Sequence, residues 1–510
     1  MSLRPDAQPA RPSPPLAERP APPAPFRSWK KQSSLHPAER TALLLIGAHL
    51  VFLPWALGGM RLWAQLISLS LSVASLAVAL VPRTYTEEHT DSSRFRLVMW
   101  PRLVAFPVAW LGLAFLGYVA IQGLNPAWVY ESDGQEWWTR AVAHTTWLPT
   151  GVAAPLAIGG PWRTLLFYMS AWLTVCAVWV AFTRRRTVRL LLLTIATNGL
   201  LLAAFGVVQR LLSNGKLFWV IESPNPAFFA SFIYKNHGGA YLNLTLAVTC
   251  GLAGWYHLRG LRRLQKSNPG VVLAFFALCI AVSVLTSQAR GATLVMLVFL
   301  AACIGAFVVH PFTSQGAPRK PVIALGLMLI FGCFLKVGFD ALDSRAAWDR
   351  LKFGLSRQDT SLATRDLATR ASADMLRDHA VKGIGAGSFR FLFPAYQATY
   401  PALVARNQTR MYWEHAHNDL LQFPIELGLA GVALLGAIGG YWGVRLTRRA
   451  FWSNPVSTGI LFGALLLLAY AWWDFPFQCP AILITWCALW PAAALWSQCE
   501  EQPGRARTPS

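Results

Sequence analysis

Charged residues are scarce in this sequence, and their scarcity excludes an ordinary soluble fold. Only 13% of the 510 residues are Asp, Glu, Lys or Arg, whereas soluble domains average about 25%. Hydrophobic residues make up 55% of the chain. They are gathered in uninterrupted runs of roughly 18 residues or more, the length that crosses a bilayer. The composition therefore predicts a polytopic membrane protein rather than a string of soluble domains.

Paired cysteines and acidic residues are also in short supply. The eight cysteines lie almost all inside apolar runs, and none belongs to a CxxC pair. Neither a disulfide framework nor a zinc site is therefore indicated. The 45 Lys and Arg exceed the 23 Asp and Glu by 22, an excess that can indicate nucleic-acid binding. Here, however, the basic residues bunch between hydrophobic runs, as the positive-inside rule requires. We therefore predict membrane lipids, and no nucleic acid, as their partners.

The apolar runs predict an all-α polytopic membrane protein with about twelve transmembrane helices. Basic clusters alternate between the connecting loops, which places both termini in the cytoplasm. Residues 1–40 are proline-rich and basic, without the apolar core of a signal peptide, and are predicted to be a disordered tail. The predicted spans are 41–58, 62–82, 102–122, 163–183, 188–210, 237–256, 270–286, 291–310, 321–338, 424–444, 456–473 and 480–497.

This topology divides the chain into five parts. The tail at 1–40 is followed by transmembrane helices 1–9 within 41–338 and a long extracytoplasmic loop at 339–423. Transmembrane helices 10–12 occupy 424–497, and a cytoplasmic tail ends the chain at 498–510. The segment 123–162, also extracytoplasmic, contains paired tryptophans and acidic residues and resembles an interfacial segment.

The long loop contains an amphipathic helix and a glycine-rich turn. Apolar residues at Leu362, Leu367, Ala371 and Leu376 predict a helix over Thr360–His379. The arginines of the loop alternate with aspartates, which favours a solvated helical face over a surface that attracts an anionic glycolipid. These arginines are Arg345, Arg350, Arg357, Arg365, Arg370 and Arg377.

The glycine-rich stretch Gly383-Ile384-Gly385-Ala386-Gly387-Ser388-Phe389 invites comparison with nucleotide-binding loops. Those loops need a preceding strand and a following helix in a βαβ unit. A segment between two membrane spans offers neither. The stretch is therefore predicted to be a turn that redirects the loop.

Polar residues cluster at the end of the loop, in Glu414-His415-Ala416-His417-Asn418-Asp419. Such groups at the mouth of a span are costly and tend to be functional. Histidine suits a general base near neutral pH. Asn418 and Asp419 have a structural alternative, because both residue types cap helices. Glu414, His415, His417 and Asp419 are conceivable metal ligands, but their spacing matches no zinc-binding helix motif, and no metal is predicted.

Five motifs, taken together in their order, resemble those of the O-antigen ligase/polymerase family, over roughly residues 160–497. The resemblance implies a fold similar to polytopic glycosyltransferases of the GT-C type, in the bacterial inner membrane with the active site facing the periplasm. It implies a glycan donor linked to undecaprenyl diphosphate, an acceptor that is lipid A–core, another glycan or a protein, and no metal or other cofactor. The motifs are Lys235-Asn236-His237, Ser287-Gln288-Ala289-Arg290-Gly291-Ala292, Gly383–Phe389, His417-Asn418-Asp419 before Glu426–Gly431, and Asp474-Phe475-Pro476.

Glycosyl transfer without a metal needs cations for the departing diphosphate, and Arg grips phosphate oxygens bidentately. Arg290 is the first candidate, because it lies away from the cytoplasmic basic clusters; the alternative is a contact with lipid headgroups. His417 is the candidate general base, or the group that positions the acceptor. The remaining substrate-binding candidates are Arg210, Lys235, His237, His415, Asn418 and Asp419, for several of which headgroup contact or helix capping is the alternative.

The sequence is compatible with three functional hypotheses. The favoured one is a membrane glycosyltransferase that acts as an O-antigen ligase, an O-antigen or exopolysaccharide polymerase, or a protein O-oligosaccharyltransferase. The second is a flippase or other transporter of lipid-linked glycans, although transporters usually place ionisable residues at the membrane midplane. The third is a scaffold for an envelope complex. Polar residues gathered at one face favour the enzyme.

Overall fold

The helices of this protein begin close to the ends of its apolar runs. The computed structural model describes residues 35–86, 94–262, 268–313, 360–406 and 409–498, with six residues between 329 and 337. Fifteen α-helices lie in this part of the chain. They are α1 Pro37–Trp55, α2 Leu62–Ala79, α3 Trp100–Val104, α4 Pro107–Leu124, α5 Pro161–Ala181, α6 Arg185–Leu211, α7 Lys235–Arg262, α8 Pro269–Thr286, α9 Arg290–Thr313, α10 Thr360–His379, α11 Phe389–Gln397, α12 Pro401–Val404, α13 Asp419–Arg448, α14 Pro455–Tyr470 and α15 Pro480–Gln498.

Eleven of the predicted spans coincide with these helices, which confirms a mostly helical, multi-pass membrane protein. In the described residues, eight helices are long and apolar enough to cross a membrane, namely α2, α4, α5, α6, α8, α9, α13 and α15. Helix α14 is apolar but shorter. The predicted span at 321–338 lies mostly outside the described residues, as do most of the N-terminal tail and residues 499–510. The number twelve therefore stays a prediction.

Local sequence fixes where many helices start. Proline is the first residue of seven of the described helices, a position where its missing N–H leaves no hydrogen bond unmade. Asparagine caps three starts: the side chain of Asn268 accepts from Gly270 N, that of Asn418 from Leu421 N and that of Asn454 from Val456 N. Each cap satisfies one of the free N–H groups of a first turn.

Helix α7 lies at the centre of the bundle and packs against α6, α8, α9 and α14. Close packing depends on small residues, as is usual between membrane helices. A Cβ on Gly199 of α6 would lie 2.4 Å from the Thr245 hydroxyl of α7. A Cβ on Gly239, in the second turn of α7, would lie 2.6 Å from the Ala292 side chain of α9. The starts of α7 and α9 are thereby held side by side.

A buried ion pair lies at the start of α1. The Arg83 guanidinium contacts the Glu39 carboxylate at 3.1 Å, and both side chains are fully buried. Glu39 also accepts hydrogen bonds from the hydroxyls of Thr183 and Thr187, and Arg83 donates to the Ala181 carbonyl at 2.7 Å. The pair joins α1 to the residues between α5 and α6.

The structure contains short strands that the sequence analysis did not anticipate. Hydrogen bonds join β1 (Arg83–Thr86) to β2 (Arg94–Leu97), and β6 (Ala405–Arg406) to β7 (Thr409–Arg410), each antiparallel. The segment interpreted as interfacial forms a three-stranded sheet in the order β4-β3-β5, with β3 at Pro126–Ser132, β4 at Trp137–Ala141 and β5 at Gly151–Ala153. Its Val, Tyr, Trp and Thr residues favour extended backbone.

The described residues of the long loop build a small core on this sheet. Helix α10 has the predicted bounds, Thr360–His379, and buries Ala368, Ala371 and Met375 completely. Phe391 of α11 meets the Tyr130 and Trp137 rings of the sheet edge-on at 5.6 and 6.1 Å. The part of the loop that the structure describes is thus packed against the sheet.

Candidate functional site

A kink in α13 receives the glycine-rich turn. Gly428 has φ 64° and ψ −174° inside the helix, so the carbonyls before it lose their helical partners. The Ile425 carbonyl accepts from Ile384 N at 3.0 Å, and the Glu426 carbonyl accepts from Gly385 N at 2.9 Å. Gly383 has φ +71°, and a Cβ there would lie 2.4 Å from the Glu426 carbonyl oxygen. Only glycine fits this approach.

The buried carboxylate of Glu426 holds the rest of the turn. It accepts from Gly387 N at 2.9 Å and from Phe389 N at 3.2 Å. Ala386 N donates to the Gln122 side chain at 3.1 Å, and Ser388 N donates to the Gly385 carbonyl. All six amides from 384 to 389 therefore bond to the protein itself. None is left to cradle a phosphate, so the stretch is a structural turn, as predicted, and not a nucleotide-binding loop.

A side-chain relay connects this turn to the histidine cluster. Gln422 Nε2 donates to Glu426 Oε1 at 3.0 Å and lies 3.2 Å from His415 Nδ1. Gln422 Oε1 accepts from Ala416 N at 3.0 Å. The His415 ring stacks on Phe475 at 4.8 Å, and burial lowers the pKa of His415 to about 4. The relay fixes the backbone on both sides of residue 416.

Asn418 and Asp419 are engaged in protein contacts. The Asn418 side chain caps α13 by accepting from Leu421 N at 3.1 Å. The Asp419 carboxylate is buried and accepts from Phe477 N at 2.8 Å and Gln478 Nε2 at 3.0 Å. The contact of Asn418 is the predicted helix cap, whereas Asp419 bonds to the segment before α15 rather than capping its own helix. These contacts dock the start of α13 onto the turn before α15, and the substrate-binding role stays a prediction.

His417 occupies an aromatic enclosure. Its ring lies 4.6 Å from Phe475, 5.5 Å from Trp413 and 6.5 Å from Tyr234, edge-on to each. Its backbone has φ +54°, a conformation that non-glycine residues adopt rarely and that collects at functional sites. Burial, and then the positive charge of Arg365, lower the pKa of His417 to about 3. The imidazole is therefore neutral across the physiological range.

A buried carboxylate links this enclosure to the start of α7. Asp474 accepts from the Tyr470 hydroxyl and from Asn236 Nδ2, both at 2.5 Å. Asn236 also donates to the Tyr234 hydroxyl at 2.7 Å. His237 is buried, and its Nε2 lies 3.2 Å from the Phe475 carbonyl. His237 therefore packs beneath His417 as a wall of the enclosure.

Four cations converge on the same end of α7. The positive charges of Arg290, Arg210 and Arg365 all act on the Lys235 ammonium group. Arg210 Nη2 donates to Gln288 Oε1 at 2.9 Å, two residues before Arg290. Beside Arg290, a Cβ on Gly291 would lie 2.4 Å from the Tyr470 ring, the same ring whose hydroxyl bonds Asp474.

The structure thus gathers most of the predicted site residues at one end of the bundle. The Phe475 ring contacts three histidines, namely His417, His237 and His415. Lys235 lies two residues before His237, and the charges of Arg290 and Arg210 act on it. Three further residues complete the arrangement. Tyr234 was not named in the sequence analysis, and Arg365 and Asp474 were named there without a role in the site. Arg365 had a readable signal: it lies three residues before Ala368 and seven before Ser372, both fully buried. It therefore shares the buried face of α10, unlike its neighbours Arg370 and Arg377.

The four conceivable metal ligands diverge. Glu414 accepts from Arg390 Nη1 at 2.8 Å, while His415 and Asp419 face Gln422 and Gln478 respectively. In the part of the chain that the structure describes, no three His, Cys, Asp or Glu side chains are grouped as a metal site would require. The site's charge is instead carried by arginine and lysine.

Comparison with known proteins agrees with the motifs. Residues 273–436, which include Arg290, the glycine-rich turn, His417 and Glu426, match the family model described as O-antigen ligase. No curated protein matches the chain. The match confirms the resemblance seen in the sequence, and it indicates a membrane enzyme of the ligase/polymerase type with lipid-linked glycan substrates. Over these residues the chain is similar to the O-antigen ligase family.

Proposed function

We propose that this protein is a metal-independent glycosyltransferase that moves a glycan from undecaprenyl diphosphate to an acceptor hydroxyl. The observation that carries the proposal is the arrangement around Tyr234, whose ring meets His417 at 6.5 Å and whose hydroxyl accepts from Arg365. The next residue, Lys235, experiences the positive charges of Arg290, Arg210 and Arg365. A neutral imidazole beside an excess of positive charge suits a reaction that takes up one proton and releases a diphosphate.

The proposed step balances in protons and electron pairs. The acceptor O–H gives its proton to the His417 imidazole while its oxygen forms a bond to the anomeric carbon of the donor glycan. The bond from that carbon to the diphosphate oxygen breaks, and its electron pair leaves with the undecaprenyl diphosphate. Arg290 and Arg210, with Lys235, stabilise the negative charge that grows on this leaving group.

The membrane arrangement follows from the same proposal. The donor lipid and the glycan lie outside the cytoplasm, so the site faces the periplasm from a bacterial inner membrane, with both termini cytoplasmic. The apolar surfaces of α8 and α9, where Phe275, Val282, Leu294 and Val298 are exposed in the isolated chain, face the lipid tails. The acceptor is lipid A–core or another glycan.

A reconstituted assay tests the proposal. Purified protein in liposomes receives an undecaprenyl-diphosphate-linked glycan and, separately, lipid A–core, free glycan or an acceptor protein, all with EDTA. We expect product with one acceptor, and its identity separates ligase, polymerase and protein transferase. The His417→Ala variant should lose about 10²- to 10⁴-fold in rate while eluting as wild type does on size-exclusion. Transbilayer movement of the donor without any product would instead support the flippase.

A further inference from the structure

Arg365 differs from the other described arginines of its helix. Arg370 pairs with Asp366 at 2.9 Å and Arg377 with Asp374 at 2.7 Å, and both arginines are largely exposed. These two fit the predicted solvated face. Arg365 is half-buried, and its Nη2 reaches across to the Tyr234 hydroxyl at 3.2 Å. The long loop therefore contributes one cation to the start of α7.

The position of Arg365 relates it to both halves of the site. Tyr234, its hydrogen-bond partner, stacks on Phe475 at 5.3 Å and meets the His417 ring at 6.5 Å. The charge of Arg365 acts on Lys235, beside Arg290 and Arg210, and also on His417. Of the four cations, it is the one that comes from the extracytoplasmic loop rather than from a membrane helix.

We propose that Arg365 is a further donor-binding residue, whose guanidinium contacts the diphosphate from the loop side and couples donor binding to proton acceptance by His417. This inference rests on the proposed function. In the protein without donor, Arg365 opposes protonation of His417 by charge repulsion. A bound diphosphate offsets that charge, so the imidazole becomes a competent base only when a glycan is in place.

Other charged or titratable groups lie around His417 and also influence its protonation. His415 lies in the same loop, with Glu414 beside Arg390. His237 and Lys235 face His417 from α7, and Asp474 and Tyr470 approach from the end of α14. The carboxylate of Asp474 offsets part of the cationic charge in every state, so the change on donor binding falls on the arginines.

Binding of glycan-free undecaprenyl diphosphate in detergent micelles tests the contact directly. We expect Arg365→Gln to raise the Kd about tenfold or more, since a hydrogen bond to a charged group is lost, and Arg365→Lys to recover part of it. Arg370→Gln, five residues along the same helix and exposed, is the matched control and should bind as wild type does. Wild-type affinity in Arg365→Gln would overturn the proposal.

The pH profile of transfer tests the coupling. Removing the positive charge beside His417 should move the acidic limb of kcat/KM to higher pH in Arg365→Gln and leave it in place in Arg370→Gln. An unshifted limb in a folded Arg365→Gln variant with weakened donor binding would overturn the coupling. If Arg365→Gln behaves as wild type while His417→Ala and Arg290→Ala are inactive, the inference fails and the proposed function stands. If all three variants are active, the proposed function fails as well.

Discussion

The two ends of helix α1 lie beside two different arrangements of charge. At its start, Glu39 and Arg83 form a fully buried pair at 3.1 Å. Helix α1 has 19 residues, about 28 Å of rise, and near its other end the Pro54 carbonyl accepts from Ser231, four residues before Lys235. Near that end lie the half-buried Lys235 and Arg365, the exposed Arg290 and Arg210, and the buried carboxylate of Asp474.

Structural and functional charge in a membrane protein differ in whether the chain itself balances them. One cation against one anion is balanced in charge, because the buried Arg83 finds its counter-ion, Glu39, within the chain. Several cations around one carboxylate repel each other, and a compact fold bears that cost where an anionic ligand relieves it. The first arrangement fixes the bundle, and we assign the second to the donor.

Breaking the balanced pair should have the largest effect, and it should fall on stability. Glu39→Ala leaves Arg83 buried without its anion, which costs about 3–5 kcal/mol. We expect a marked fall in the melting temperature measured by size-exclusion in detergent. Transfer per folded molecule should stay near the wild-type rate, and the double variant Glu39→Met/Arg83→Met should regain part of the stability. A folded Glu39→Ala protein with abolished transfer would contradict the comparison.

Removing a cation near the other end of α1 should lower the rate of transfer rather than the stability. Arg290→Ala is expected to lower kcat/KM at least about 10²-fold, because preorganised charge on a leaving group typically contributes this much. The melting temperature should change little. Arg377→Ala, which breaks an exposed pair with Asp374, is the control and should keep full activity. Equal losses in both variants would indicate a general charge effect.

Lys235 should matter less than Arg290, because an ammonium group cannot grip two phosphate oxygens as a guanidinium does. We expect Lys235→Gln to raise the donor KM roughly three- to tenfold, in line with the 0.5–1.5 kcal/mol of a typical net hydrogen bond. The kcat should be nearly unchanged. Initial rates over a range of donor concentration separate the two constants, and a loss confined to kcat would count against a binding role.

The smallest expected effect concerns pH: the kcat/KM of the wild-type protein should not depend on the protonation of His417 near neutral pH. The pKa of His417 is lowered to about 3 by burial and then by Arg365, so the imidazole stays neutral as the pH falls from about 8 to 5. His417 should therefore place no acidic limb on kcat/KM in that range. The donor complex should show a limb in kcat at higher pH, since bound diphosphate favours the protonated ring. Rate profiles in both regimes, with Glu39→Gln as a remote control, check this.

Sequence alone predicted the parts of the fold that depend on local pattern. The span predicted at 270–286 is α8, Pro269–Thr286, and α10 has the predicted bounds, because apolar spacing and helix-starting residues are local. The sequence also predicted that the glycine-rich stretch is a structural turn, because the strand and helix of a βαβ unit were missing around it. The three-stranded sheet was not, because Trp and acidic residues near a membrane also suit an interfacial segment.

The sequence predicted only some residues of the site, and the reason is physical. His417 and Arg290 were chosen by residue type and position relative to the spans. Arg365 and Tyr234 are 131 residues apart, and Asn236 and Asp474 are 238 apart. Contacts over such separations depend on which helices are neighbours, and apolar periodicity does not encode this. Asp474 was visible as a motif residue, yet its partners were not.

The kink at Gly428 lets one helix hold two parts of the site. Because Glu426 and the backbone before Gly428 hold the turn at 384–389, and Gln422 holds residues 415 and 416, a single helix positions both the glycine-rich turn and the segment that carries His417. Tilting or rotating α13 would move these parts together. Changes in which acceptor is used should therefore arise by remodelling segments that α13 does not clamp, such as the sheet at 126–153, while the chemistry stays in register.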